Sequence, residues 1–332
     1  MKINFQHNMS AHCENGVISN LLRYKGIELS EPMIFGIGSG IFFAYLPMMK
    51  LNGIPVTAFR PLPGRIFKSV TKSLGIMVHA QKFKDPDKAM QELDKTLEKG
   101  IPTGLVVGVY HLTYFPTPYR FHFNAHNIVA YGKEDNEYLI SDPVMDDPQT
   151  LTPDDLKRVR FAKGIGMPRG KMYYIKSIRK DVDLNKAIIK GLKKTVFVMT
   201  KLPGPLIGVS GIAFLSSRIR KWPKKHGKQK ASRYLGQIVR MQEEIGTGGA
   251  GFRFLFGAFL QEASEHLNIP RLYELSIEMT TIGDKWRSFA VKAGRLCKGR
   301  ETSENYNEIA DLLLEISRDE KKIYQEINKA IK

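Results

Sequence analysis

Cysteine is scarce in this chain, with Cys13 and Cys297 its two thiols. Cys13 lies in Ser10-Ala11-His12-Cys13-Glu14-Asn15-Gly16, where the spacing of Ile18, Leu21 and Leu22 predicts a helix that Gly26 stops. At a helix N-terminus the unpaired amides and the macrodipole favour the thiolate, the nucleophilic form of cysteine. The same amides suit an oxyanion developing on an attacked carbonyl. Such a nucleophile needs a histidine to carry its proton and an acceptor to orient that histidine. Of the eight histidines, His126 opens an apolar strand pattern running to Tyr131, and Asp142 closes the return strand Tyr138-Leu139-Ile140-Ser141. Gly132 to Asn136 reads as the turn between them. If the turn is symmetric about Glu134, His126 faces Asp142 directly, with Cβ atoms ~4.5–5.5 Å apart on one face. A slip of one residue would send the two to opposite faces. The residues alone leave open an ordinary hairpin whose His and Asp share a structural hydrogen bond.

The elements that must position these groups fall into two parts. At 332 residues, 42% apolar and 25% charged, the chain suits two globular domains. That balance excludes an intrinsically disordered chain, and two cysteines exclude a disulfide-stapled one and fit a reducing compartment. Helix and strand signals mix as far as Lys171–Ile178, a strand pattern; Asp87–Glu98 reads as a charged helix, Ile101–Tyr110 and Phe121–Tyr131 as strands. Thereafter the pattern is helical, ending in Tyr306, Ile309, Leu313, Ile316, Ile323 and Ile327 at bundle spacing. The predicted domains are therefore residues 1–178 and 184–332, in an α+β chain whose second domain is mainly helical.

Charge is the unusual quantity: 51 Lys plus Arg against 33 Asp plus Glu, a net +18. Nine of those cations and no acid lie between Arg218 and Arg240. Such a field steers anionic partners and by itself names no reaction. Trp222 and Tyr234 beside the run form no recognised nucleic-acid module, and no specific nucleic acid is expected. The apolar stretch Leu202–Leu215 is interrupted by Pro and Gly and is short of the ~20 residues that span a bilayer; beside the basic run it suggests at most a weak membrane-surface contact. With no apolar leader at its start, the chain is expected in the cytoplasm. Gly246-Thr247-Gly248-Gly249-Ala250-Gly251 fits a dinucleotide fingerprint in letters but follows a charged helical pattern rather than a strand, and reads as a glycine hinge. His122 and His126 have metal-like spacing without the convergent ligands zinc wants. No bound cofactor or metal is expected.

The segments His12-Cys13-Glu14-Asn15-Gly16, Asn20-Leu21-Leu22 and Leu29-Ser30-Glu31-Pro32-Met33-Ile34-Phe35-Gly36 resemble the N-terminal domain of the butirosin biosynthesis protein H family. The hairpin from Phe121-His122-Phe123-Asn124-Ala125-His126 to Asp142-Pro143 is similar to that domain's other signature. Gly248–Arg253 and Phe259-Leu260-Gln261-Glu262-Ala263 resemble the helical domain of unknown function that often follows it. The resemblance implies a papain-like cysteine fold in the N-terminal half, related to bacteriocin-processing cysteine peptidases but used for acyl transfer from an acyl carrier protein thioester. It makes Cys13 the acylated nucleophile, His126 the base and acid, and Asp142 its orienter. The papain-like pattern puts an oxyanion-hole glutamine about six residues before the cysteine, where this chain has His7, with Gln6 one further back. Gln6, His7, Asn15 and Arg253 are the candidates for oxyanion or substrate contacts.

The expected activity is a cysteine-dependent acyltransferase that takes an acyl group from a phosphopantetheine arm of an acidic carrier protein and passes it to a small amine or hydroxyl acceptor in a biosynthetic pathway. A peptidase or amidase of the same fold is the first alternative. A non-catalytic binding module with a basic surface is the second, and a Cys13 that is buried or far from His126 would favour it.

Overall fold

The computed structural model describes residues 1–179, 181–299 and 305–332. Its first helices are α1 (Cys13–Tyr24), α2 (Glu31–Ile37), α3 (Arg65–Ser73), α4 (Pro86–Glu98) and α5 (Pro153–Arg160). Among them lie strands β1 (Ala44–Leu51), β2 (Ile54–Ala58), β3 (Ile76–Gln81), β4 (Thr103–Val107), β5 (His126–Glu134), β6 (Glu137–Ser141) and β7 (Gln149–Leu151), with β8 (Met172–Ile178) after α5. The remainder is helical: α6 (Leu184–Thr200), α7 (Gly208–Ile219), α8 (Trp222–His226), α9 (Lys228–Glu243), α10 (Arg253–Leu267), α11 (Pro270–Cys297) and α12 (Tyr306–Ala330).

The chain divides into two units, and the first is not contiguous: residues 1–34 and 70–182 form one, residues 35–69 and 183–332 the other. The expected first domain runs unbroken over 1–178, whereas residues 35–69 here group with the second unit. The reason is aromatic packing. Phe35 stacks on Phe252, Phe43 and Phe59 meet edge to face, and Phe59 meets Trp286 the same way, so the segment around β1 and β2 buries its rings among α10 and α11. Fully burying one such ring contributes roughly 1.5–3 kcal/mol.

In the first unit six antiparallel strands run in the order β3-β8-β4-β5-β6-β7. Helix α1 packs on β5 and β8, sinking Val17, Ile18, Leu21 and Leu22. Helix α4 starts on a cap in which Asp85 accepts from the amides of Asp87 and Lys88, with Pro86 in its first turn. Its Asp94 receives the Tyr138 hydroxyl at 2.6 Å.

The β5–β6 hairpin turns on two residues, Asp135 and Asn136, both at positive φ (46° and 63°), the tight turn that matches strand twist. This is shorter than the expected Gly132–Asn136 turn and places Glu134 opposite Glu137. Tyr131 is then bulged, so that Ala130 faces Ile140 while Gly132 faces Leu139. The chain's first residues pair along the bulge: Ile3 N–H donates to Tyr131 O at 3.0 Å and Lys133 N–H to Met1 O at 2.8 Å. A side chain on Gly132 would put its Cβ 2.6 Å from Met1 O.

The second unit is a helical bundle in which α11 packs on α9, α10 and α12, and α12 on α6 and α7. The β1–β2 hairpin lies on α7 and α9. The C-terminal periodicity read from sequence is helix α12, with Ile309, Leu313, Ile316, Ile323 and Ile327 buried.

Candidate active site

Helix α1 begins at Cys13, and it is capped in an indirect way. The preceding residue, His12, gives no side-chain cap; instead the Glu31 carboxylate at the head of α2 accepts from the Ala11 and His12 amides, each at 2.8 Å. Burial pushes the Glu31 carboxyl above its usual range, more than these amides and the Asn15 side chain bring it down. A second tie joins this segment to the residues after β6, since Ser10 N–H donates to Pro143 O at 2.6 Å. Gly16 completes the contact. A Cβ there would stand 2.4 Å from Pro143 Cβ and 2.8 Å from the Ser10 side chain, so only glycine lets α1 approach this closely.

His126, at the first position of β5, places Nε2 2.7 Å from Asp142 Oδ2, with the imidazole 6% and the carboxylate 0% exposed. Because Nε2–H donates to the carboxylate, Nδ1 is left for the Cys13 thiol, which is in hydrogen-bond contact with the ring. Burial alone would pull the imidazole pKa down. The Asp142 carboxylate and the Cys13 sulfur overcome it and push His126 up to about 10. At neutral pH the ring is therefore held as imidazolium, the partner a thiolate needs.

The route to this pair differs from the expected one. Val129 faces Ser141, which carries Asp142 to the position opposite Ile128, so His126 and Asp142 are diagonal neighbours rather than a direct pair. The two-residue turn alone would have put them on opposite faces. The extra residue at Tyr131 shifts the register by one and returns them to the same face.

Asp142 holds more than His126. Its Oδ2 also accepts the Tyr114 hydroxyl at 2.8 Å, and its Oδ1 accepts Val144 N–H at 3.2 Å. Burial and the neighbouring carboxylate raise the Tyr114 phenol well above its ordinary pKa, which keeps it a donor. Phe115 meets the His126 ring edge to face at 5.5 Å. Tyr114, Phe115 and Glu31 were not singled out from sequence for positioning. Tyr114 and Phe115 sit in an aromatic-rich stretch without periodicity, where nothing marks which ring turns inward.

The four accessory candidates fare differently. Gln6 is exposed. His7 is not available to an oxyanion: Nε2–H donates to Met145 O at 3.0 Å and Nδ1 accepts from Ser141 Oγ at 2.8 Å, which uses both ring nitrogens. Asn15 is wholly buried near Glu31, and neither its amide nitrogen nor its amide oxygen has a partner within bonding geometry among the described residues. Arg253 belongs to the second unit's core. Its Nε and a terminal nitrogen grip Glu320 at 2.8 and 3.1 Å, its other terminal nitrogen donates to Gly251 O at 2.7 Å, and its full burial keeps it from a phosphate in solution. The glycine segment 246–251 joins α9 to α10 with no strand before it, and Glu243 accepts from its Ala250 amide.

Residues 12–143 match the family described as Butirosin biosynthesis protein H, N-terminal. Residues 154–327, over half of the chain, match the domain of unknown function DUF4872. The chain belongs to the DUF4872 family, and it carries a butirosin biosynthesis protein H N-terminal domain before that region. The first match opens one residue before Cys13 and closes one residue after Asp142, so the matched N-terminal domain brackets the thiol, the imidazole and the carboxylate. The architecture over these two matches is α+β, with a six-stranded antiparallel sheet in the first unit and a helical bundle in the second. No curated protein matches the chain. Among solved structures, a protein from Bacillus anthracis described as C39-like peptidase is similar, at 14% identity over 54% of this chain and 100% of that one, with a TM-score of 0.37.

Proposed function

We propose that the protein is a cysteine-dependent acyltransferase that takes an acyl group from an acyl-carrier-protein thioester, through an acyl intermediate on Cys13. The observation that carries this reading is the contact of Cys13 with an imidazole held cationic by buried Asp142, in a domain that matches a family tied to a biosynthetic pathway. The thiolate attacks the thioester carbonyl, and the backbone amide at the first turn of α1 is the donor proposed for the oxyanion. Collapse expels the pantetheine thiolate, which takes the proton from His126. An amine or hydroxyl acceptor then attacks the acyl-Cys13 thioester, giving its proton to His126 and expelling the Cys13 thiolate. Thioester and acyl-enzyme have similar energies, so the first half needs little driving force. The net +18 charge favours encounter with an acidic carrier protein.

One fact pulls toward a non-catalytic module: Cys13 is 7% exposed. Contact with His126 pulls the other way, and chemistry decides between them. Intact-protein mass spectrometry after incubation with acyl-pantetheine should show one acyl adduct on the wild type and none on Cys13→Ala. A Cys13 that alkylates yet takes no acyl group from any thioester would turn the reading to peptidase or amidase. A Cys13 that resists alkylation in the folded protein would end the catalytic reading.

A further inference from the structure

The second unit holds a cavity of about 190 Å³. At ~30 Å³ per water it has room for roughly six water molecules, enough for a phosphate with a short organic neighbour and too little for a whole nucleotide. Its wall is cationic: Lys50 from β1, Arg218 from α7, Lys221 before α8 and Lys225 within it. Among the described residues no carboxylate pairs with any of these four. Tyr45, Trp222 and Tyr234 close the pocket, with Trp222 and Tyr234 edge to face at 5.6 Å. His226 on the rim is pulled below its usual pKa by burial and by Lys225, Lys230 and Lys50, the mark of a field short of anions.

The same hairpin that supplies Lys50 carries apolar side chains into solvent. Between Leu46 and Lys50 the β1–β2 ladder breaks, so Pro47, Met48 and Met49 leave it unpaired. Met48, Met49 and Leu51 are 68%, 56% and 53% exposed. A soluble phosphate compound would fill the cup and leave these side chains in water. A phospholipid leaflet satisfies both features at once, with phosphate for the cup and acyl chains for the methionines, while Trp and Tyr suit the depth between.

We propose that this face docks the protein on an anionic phospholipid surface, with one headgroup phosphate in the Lys50–Arg218–Lys221–Lys225 cup and Met48, Met49 and Leu51 entering the apolar layer. The site is separate from the thiol chemistry and stands or falls without it.

The test is sedimentation of the full chain with phosphatidylcholine vesicles, with and without phosphatidylglycerol. The expected result is binding to the anionic vesicles alone, weakened by salt. The pair Lys221→Glu with Lys225→Glu should lower partitioning at least about tenfold. The pair Met48→Ser with Met49→Ser should lower it severalfold and leave the residue salt-sensitive. Both pairs are exposed, and a thermal melt checks that each variant is folded. Equal binding to neutral and anionic vesicles, or binding that neither pair changes, would overturn the proposal. So would titratable glycerol phosphate binding without vesicle binding, which would make the cup a soluble-phosphate site, or retention by an acidic protein alone.

Discussion

Each unit of this protein buries one cation against one carboxylate, and the two pairs are built to different ends. In the second unit Arg253 and Glu320 are both 0% exposed, and Glu320 also receives Trp286 Nε1–H at 2.8 Å. The guanidinium lies over the Trp286 face at 4.9 Å. Each of the three guanidinium nitrogens and both carboxylate oxygens is engaged by a neighbour, and the pair ties α10, α11 and α12 together. In the first unit His126 spends Nε2 on Asp142 and keeps its other nitrogen for a sulfur that can form and break bonds. What separates structural burial from chemical burial is whether one valence is left over. The same low-dielectric surroundings strengthen both pairs.

The sharpest break in that comparison is expected at His126. Replacing it with Ala should slow acyl-adduct formation by ~10²–10⁴-fold, and it should lower the melting temperature too, because Asp142 is left buried without its cation. Its pH signature follows from the raised pKa. Folding favours the protonated ring, so the stabilisation is complete below about pH 6.5, the unfolded value, and is lost as pH rises through the folded one. In the wild type, unfolding free energy should fall with pH above about 6.5, and Cys13→Ala, which removes one of the two groups that raise the ring, should narrow that window. Adding His126→Gln should flatten that slope.

Arg253→Met is expected to act on stability, costing ~3–5 kcal/mol because Glu320 is left buried without its cation. Denaturant titration measures it, and adding Glu320→Leu should restore most of the loss. If the double variant stayed as unstable as the single one, saturation would not be what distinguishes this pair.

Gly16→Ala probes the contact that sets α1 against the Asp142–Pro143 segment. A displacement of the thiol by about 1 Å is expected to cost ~10²-fold in transfer rate, read by adduct kinetics, with a native-like circular dichroism spectrum. The smallest effect belongs to Tyr114→Phe. Losing one neutral donor to the carboxylate should slow transfer about tenfold, in line with ~1.5 kcal/mol for a hydrogen bond to a charged group. An unchanged rate would remove Tyr114 from the positioning of Asp142.

Much of this was legible in local pattern. The start of α1 at Cys13 and the buried stripe of α12 follow from apolar spacing, because helix periodicity is a property of neighbours three and four residues apart. The family signatures around Cys13 and Asp142 were legible as well. The strand expected from Phe121 forms only from His126, since Phe121 to Ala125 lack a ladder partner in the sheet and turn through bends instead.

The sequence by itself determined that a thiol would head a helix, and that a histidine and an aspartate would sit at the open end of a hairpin. Whether those two share a face was decided elsewhere, by the bulge at Tyr131 along which Met1 to Ile3 pair, more than a hundred residues away in the chain. Tertiary structure also assigned Arg253 to Glu320 and residues 35–69 to the second unit. The physical reason is common to all three. Register, charge pairing and aromatic packing are settled by whichever distant group arrives to satisfy a buried valence or fill a buried face, and local spacing carries no record of it.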